Sequence, residues 1–128
     1  MKKTVAIDFD GTLAQYQGWV DASHTLPPVP GAREFVAALM DEGYRVVVHT
    51  TRNPDVVWEW LECHGFPGLP RTPEEWAAPD RPLDVSRYKV PAMVYIDDRA
   101  HRFDGDWRKA REAIEQKCWW QDGDPLAE

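Results

Sequence analysis

Residues 4–14 read TVAIDFDGTLA, an apolar run that leads into two closely spaced carboxylates and a turn. Short apolar runs bounded by turn residues are typical of buried strands, so we expect a strand over about residues 4–9. An ionised carboxylate is costly to remove from water unless it is paired or bound to a metal. We therefore expect Asp8 and Asp10 at the carboxyl end of this strand, where ligands bind in open α/β sheets. This placement indicates a cation and a site of chemistry.

The bulk composition favours one globular domain. The chain has 128 residues, 43% of them hydrophobic, so we expect a single catalytic domain over residues 1–128. The net charge of −7 weighs against nucleic acid as a partner, because nucleic-acid interfaces are usually basic. No apolar run reaches the ~20 residues of a membrane span, and Asp8 comes too early for a signal peptide. Cys63 and Cys118 indicate neither a disulfide framework nor a thiolate metal site, so we expect a cytoplasmic location.

Strand and helix patterns alternate along the chain. This alternation is typical of a parallel sheet with crossover helices, so we expect a Rossmann-like, three-layer α/β/α fold. We expect a short hairpin and a loop in residues 11–30, and only a short helical turn, at Thr72–Trp76, in residues 66–88. Beyond the first strand, we expect strands at Tyr44–Thr50, Pro91–Ile96 and Cys118–Trp120, and helices at Gly31–Glu42, Pro54 to about His64 with Asn53 as its cap, and Gly105–Lys117.

Polar residues end three of the predicted strands. Asp8 and Asp10 end the first, residues 50–52 (TTR) the second, and Asp97 with Asp98 the third. Right-handed crossovers would bring these ends together at one edge of a parallel sheet. Clustered carboxylates without a Cys or His cluster favour Mg²⁺ over zinc. With donors from the Thr50 hydroxyl and the Lys89 ammonium, these parts describe a phosphoryl-transfer site.

Four segments of the chain resemble the motifs of the haloacid dehalogenase (HAD) superfamily. They occur in that family's order: DFDGT at residues 8–12, VVHTTR at 47–52, Lys89, and YIDDR at 95–99. The resemblance implies that Asp8 is the nucleophile and forms an aspartyl phosphate. It implies that Asp10 is the general acid and then the general base, and that Thr50 hydrogen-bonds a phosphoryl oxygen. Lys89 would hold Asp8 and the phosphoryl charge in place.

The same resemblance implies the ligands of a Mg²⁺ ion and the contacts of the substrate. Asp8, the backbone carbonyl of Asp10, Asp97 and Asp98 would form the metal site, with Asp98 favoured over Asp97 as a direct ligand. Arg52 would either contact the substrate or pair with an acid. The expected substrate-binding set is Gly11, Thr12, Thr51 and Arg52.

The acid at Asp10 discriminates between reactions. A dehalogenase of this family has no acid there, whereas an alkoxide leaving group needs a proton, so Asp10 favours hydrolysis of a phosphate monoester. The segments between the motifs are too short for a cap domain of ~50 residues or more, so the chain resembles a capless member. An open site suits an accessible phosphate on a larger molecule, or a small substrate enclosed by oligomerisation. Trp19 could form a partial lid.

Alternative functions follow from weaker patterns. Residues 96–99 (IDDR), residues 118–121 (CWWQ) and Arg52 are similar to the phosphatase domain of phage polynucleotide kinase/3′-phosphatases, which would act on nucleic-acid ends. A phospho-acceptor or binding module without turnover is an alternative of another class. Receiver domains also use Asp, Mg²⁺, Thr and Lys, but their acid pair comes early in the chain, whereas here it comes last.

Overall fold

The computed structural model describes residues 3–117 and places them in an α/β fold with a four-stranded, all-parallel central sheet flanked by helices. The strands are β1 (Thr4–Asp8), β2 (Arg45–His49), β3 (Leu83–Ser86) and β4 (Val94–Ile96). The helices are α1 (Ala32–Asp41), α2 (Pro54–Cys63), α3 (Pro73–Ala77) and α4 (Trp107–Lys117).

The sheet has the strand order β3-β2-β1-β4. In the register of β1, Asp8 lies opposite His49 of β2, and Ile7 lies opposite Ile96 of β4. All three pairings are parallel, so the carboxyl ends of the strands lie at one edge of the sheet. The predicted convergence of the three polar strand ends at one edge is therefore confirmed.

The core lies around β1 and β2. Residues 5–7 and 46–48 are buried, as is usual for parallel strands that are covered on both faces. Phe9 is completely buried, and its ring meets that of Trp60 in α2 edge to face, with 4.9 Å between the ring centroids. This contact fixes the backbone immediately after Asp8.

The predicted helix boundaries are confirmed for α1 and α2. Gly43 follows α1 with a φ of +90°, a left-handed conformation that commonly ends helices. The side chain of Asn53 accepts a hydrogen bond from the backbone N–H of Asp55 at 3.0 Å and so caps α2, with Pro54 in the first turn. The predicted turn at Thr72–Trp76 is formed as α3.

The helix predicted at Gly105–Lys117 is confirmed as α4, which begins two residues later and ends at Lys117. Some of the other boundaries predicted from the sequence are wrong. Strand β3 was not predicted, and β4 is shorter than the predicted Pro91–Ile96. The hairpin expected in residues 11–30 is not formed: this part of the described chain has isolated bridges from Ala14 to Asp10 and to Pro28 in place of strands. The strand predicted at Cys118–Trp120 lies outside the described residues. Within residues 3–117, no helix is long and apolar enough to cross a membrane.

Candidate active site

The carboxyl edge of the sheet carries a cleft of about 270 Å³. Asp8 is the last residue of β1, Asp97 follows β4, and Thr50 follows β2, so the cleft is built on the three strand ends that the sequence identified. Ligands in parallel α/β sheets bind at this edge. The cleft is lined by Asp8, Asp10, His49, Thr50, Thr51, Asp97 and Arg99.

Three carboxylates form a compact acidic group, which we call the acid triad: Asp8, Asp97 and Asp98. One oxygen from each lies within 4.8 Å of the others. Oδ1 of Asp98 is buried and has no hydrogen-bond partner among the described residues. A buried, unpaired carboxylate oxygen is unfavourable, so the triad calls for a proton or a cation.

The pKa values of Asp8 and Asp98 also favour a bound proton or cation at the triad. The pKa of Asp8 is raised from its ordinary value of 3.8 to about 7, mainly by burial and then by the negative charges of Asp97, Asp98 and Asp10. The positive charge of Arg99 opposes this rise. Burial, followed by the charge of Asp97, also raises the pKa of Asp98. A cation among these carboxylates would restore their ionised forms near neutral pH.

The turn after β1 leaves room for the Asp98 carboxylate in the triad. Gly11 has a φ of +83°, and a Cβ atom built on it would lie 2.4 Å from Oδ2 of Asp98. A side chain at position 11 would therefore displace the Asp98 carboxylate. The structure gives Gly11 the role of admitting Asp98, whereas the sequence resemblance implied a contact with the substrate.

Asp10 lies in the cleft but outside the acid triad. Its two carboxylate oxygens accept hydrogen bonds from Nε and Nη2 of Arg52, at 2.8 and 3.1 Å. The sequence left open whether Arg52 contacts the substrate or pairs with an acid, and the structure shows the ion pair. The two acids of the DFD segment thus face different environments, although only Phe9 separates them.

Thr50 is 2% exposed, and it lines the cleft next to Thr51. Its Oγ1 accepts a hydrogen bond from the backbone N–H of Arg52 at 3.0 Å, which leaves the hydroxyl proton available for a ligand. Oγ1 of Thr12 is buried without a hydrogen-bond partner among the described residues, and Thr12 is not among the residues that line the cleft.

A positively charged side chain lines the cleft, but it belongs to Arg99 and not to Lys89, which the sequence indicated. Lys89 is exposed, is not among the lining residues, and has its Nζ 5.2 Å from the ring centroid of Tyr95. Arg99 lines the cleft and acts electrostatically on Asp8. Sequence reasoning assigned no role to Arg99, although its position directly after Asp97 and Asp98 was a signal. His49 directly precedes Thr50, a position from which it could line the site, and it does line the cleft.

The donor set of the triad fits a hard divalent cation. Carboxylate oxygens are the ligands that Mg²⁺ prefers, and Mg²⁺ is usually held by a few carboxylates together with a substrate phosphate. The unpartnered Oδ1 of Asp98 is a ready ligand atom. Asp8, Asp97 and Asp98 would hold the ion through their side chains. The side chain of Asp10 is taken up by Arg52, which leaves its backbone carbonyl as the expected ligand.

Comparison with known proteins adds support for the fold. No family model matches the chain, and no curated protein matches it. A solved structure, described as a conserved protein from Bacteroides thetaiotaomicron, is 27% identical to this chain with a TM-score of 0.52. The match covers 91% of this chain and 93% of the other, so the likeness extends over most of both proteins.

Proposed function

We propose that this protein is a Mg²⁺-dependent phosphatase of the HAD type that hydrolyses a phosphate monoester through an aspartyl phosphate on Asp8. The observation that carries the proposal is the acid triad beside the buried Thr50 hydroxyl at the carboxyl edge of a parallel sheet. A carboxylate nucleophile, ligands for a cation and a hydrogen-bond donor for a phosphoryl oxygen then share one cleft.

The proposed reaction has two steps. In the first step Asp10 is in its protonated form: Asp8 attacks phosphorus, the bond to the leaving oxygen breaks, and Asp10 gives that oxygen its proton. Asp10 then takes a proton from a water molecule, whose oxygen attacks phosphorus and releases Asp8 and inorganic phosphate. Thr50 donates a hydrogen bond to a phosphoryl oxygen in both steps. A bound Mg²⁺ would neutralise charge on the phosphoryl oxygens and keep Asp8 ionised.

The cation that faces the phosphoryl group is assigned from the cleft. Arg99 lines it, and we propose that its guanidinium binds a phosphoryl oxygen. The role that the HAD resemblance implies for Lys89 stays a prediction, because Lys89 is not among the residues that line the cleft.

The proposed enzyme has no cap domain. Residues 11–31 have no regular helix or strand in the described structure, and α2 and α3 are the elements between β2 and β3. An uncapped cleft of about 270 Å³ suits an exposed phosphate, either on a small molecule or at the surface of a larger one.

A screen of phosphate monoesters tests the proposal. The purified protein is assayed for phosphate release from sugar phosphates, nucleotides, 3′-phosphorylated oligonucleotides and phosphopeptides, with Mg²⁺ and with EDTA. We expect turnover of at least one class with Mg²⁺, and loss of it with EDTA. Preference for the oligonucleotides would support the 3′-phosphatase alternative. Stable phosphorylation of Asp8 without phosphate release would indicate a phospho-acceptor module and overturn the proposal.

A further inference from the structure

Arg52 is a buried arginine whose hydrogen bonds are almost all used within the protein. It is 4% exposed, and arginine is rarely buried this deeply unless it is paired. Nε and Nη2 form a two-pronged ion pair with the two oxygens of Asp10, at 2.8 and 3.1 Å. This geometry fixes both the position and the plane of the Asp10 carboxylate.

The same guanidinium binds a loop that precedes α1. Its Nη1 donates hydrogen bonds to the carbonyl oxygens of Asp21, at 3.1 Å, and Ala22, at 2.8 Å. The ring of Trp19 lies against it, with its centroid 5.1 Å from Cζ. We call residues 19–24 the Trp19 loop. Arg52 therefore connects Asp10 with a segment that lies 9 to 14 residues further along the chain.

The Trp19 loop is itself ordered by local contacts. Oδ1 of Asp21 accepts hydrogen bonds from the backbone N–H groups of Ser23 and His24, at 2.9 and 2.8 Å. Just beyond the loop, the carbonyl of Leu26 accepts a hydrogen bond from Nε1 of Trp60 at 2.8 Å. The carbonyls that Arg52 binds thus belong to a defined turn.

The donor count argues against Arg52 as a phosphate ligand. A guanidinium has five N–H donors, and four hydrogen bonds from Arg52 already go to Asp10, Asp21 and Ala22. A two-pronged contact with phosphate needs two free donors, so Arg52 would have to release one of these partners first.

We propose that Arg52 is a positioning residue that holds Asp10 in its proton-transfer orientation and makes that orientation depend on the Trp19 loop. The proposal rests on the proposed phosphatase function. A substrate that displaces the Trp19 loop would act on Asp10 through Arg52, without any contact between Arg52 and the phosphate. The Trp19 loop thereby becomes part of the acid–base machinery.

Kinetics with two kinds of leaving group test the role of Arg52. The variant Arg52→Met is compared with the wild type on an aryl phosphate with an acidic phenol and on an alkyl phosphate, both with Mg²⁺. Proton transfer matters most for the alkyl leaving group. We therefore expect kcat to fall about 10²-fold for the alkyl phosphate and only about tenfold for the aryl phosphate. We expect Arg52→Lys to recover part of the loss. A rise in KM of similar size for both substrates, with kcat unchanged, would show that Arg52 binds phosphate and would overturn the proposal.

Arg45, in β2, provides a matched control for Arg52, which follows the same strand. It is the first residue of β2, at the end of the strand away from the cleft, and forms an ion pair with Asp84 at 2.8 Å. We expect Arg45→Met to leave the ratio of the two kcat values as in the wild type. If it changed that ratio as Arg52→Met does, the effect would be a general loss of stability and the proposal would fail. Should Arg52→Met not fold, Arg52→Lys carries the same comparison.

Hydrogen exchange separates this proposal from the proposed function. In Arg52→Met, but not in Arg45→Met, the amides of residues 19–24 should exchange faster, because the two hydrogen bonds to the loop carbonyls are lost. Unchanged exchange would show that Arg52 does not tether the loop. Absence of phosphate release by the wild type would instead refute the phosphatase function, whatever the exchange result.

Discussion

Asp8 and Asp10 are two residues apart, yet the fold places them beside partners of opposite charge. Asp8 ends β1 and lies with Asp97 and Asp98 in the acid triad, where burial and like charges raise its pKa to about 7. Asp10 lies beyond Phe9 and pairs with the buried Arg52. The two acids are therefore held independently of each other, as the proposed separate roles of nucleophile and proton carrier require.

The raised pKa of Asp8 has a consequence for stability. Its pKa is about 7 in the folded protein and ordinarily 3.8, so between these values the folded state binds more protons than the unfolded state. The metal-free protein should therefore lose stability as the pH rises from about 4 to 7. We expect Asp8→Asn to remove this loss and to be more stable than the wild type at pH 8 by about 1–3 kcal/mol. Thermal unfolding in EDTA at pH 5 and pH 8 measures the effect; equal pH dependence in both proteins would contradict it.

The role of Asp10 is tested by the leaving group. Asp10→Asn keeps the shape of the side chain but cannot donate a proton as an acid does. We expect the loss in kcat to be about 10²-fold or more for alkyl phosphates and much smaller for activated aryl phosphates. Steady-state assays on the two substrates give the ratio of the two losses in kcat. Equal losses on both would show that Asp10 is not the general acid.

Arg99 and Lys89 are competing candidates for the phosphoryl-binding cation. Arg99 lines the cleft, and Lys89 is exposed beside Tyr95. We expect Arg99→Met to reduce kcat/KM by about 10- to 100-fold and Lys89→Met to reduce it less. The opposite order would assign the role to Lys89.

Individual contacts at the site were only partly predictable. The grouping of Asp8 with Asp97 follows from strand ends and parallel topology, which are local patterns. The ion pair between Arg52 and Asp10 joins residues 42 positions apart, and spacing alone could not show which acid the guanidinium would meet. The position of Lys89 depends on the path of an exposed, irregular segment, on which sequence periodicity gives no information.

At the level of elements, the turn after β1 and the segment after β4 are fitted to each other. The missing side chain of Gly11 leaves the space that the Asp98 carboxylate occupies. Each of the two segments therefore depends on the other for the geometry of the acid triad.

A pair of glycine variants tests this fit. Gly11→Ala should displace Asp98 and weaken Mg²⁺ binding, because its Cβ would lie 2.4 Å from Oδ2. Gly18 also has a positive φ, +103°, but an added Cβ there has nothing within 4 Å. We expect Gly18→Ala to lower stability by about 1 kcal/mol through backbone strain and to bind Mg²⁺ as the wild type does. Isothermal titration with Mg²⁺ compares them, and equal affinities would argue against the role of Gly11.

The elements that the sequence predicted well are those with long apolar runs or clear caps. β1, β2, α1 and α2 belong to this group. β3 was missed because it has four residues, of which Leu83 alone is buried, while Asp84 pairs with Arg45 and Arg81. Its strand conformation comes from pairing with β2, a tertiary contact that a short, mixed sequence does not reveal.

For the molecule as a whole, the acidic net charge and the charges at the cleft have opposite effects on anion binding. A net charge of −7 disfavours binding of polyanions, while the local cation Arg99 and a Mg²⁺ ion would favour a single phosphate group. The parallel sheet sets the common edge of the cleft, and under the proposed function the loops around it would decide which phosphate can reach Asp8. We therefore expect residues outside the four motifs to determine substrate choice.

Phosphate release by wild type and by Asp8→Asn, side by side with Mg²⁺, tests the central claim most directly. The substrate is the monoester that the wild type turns over fastest in the screen, and Asp41→Asn, which changes an exposed acid at the end of α1, is the matched control. We expect Asp41→Asn to release phosphate at the wild-type rate. We expect the folded Asp8→Asn protein to release phosphate at least about 10³-fold more slowly than the wild type. Release of phosphate by Asp8→Asn at the wild-type rate would contradict the assignment of Asp8 as the nucleophile.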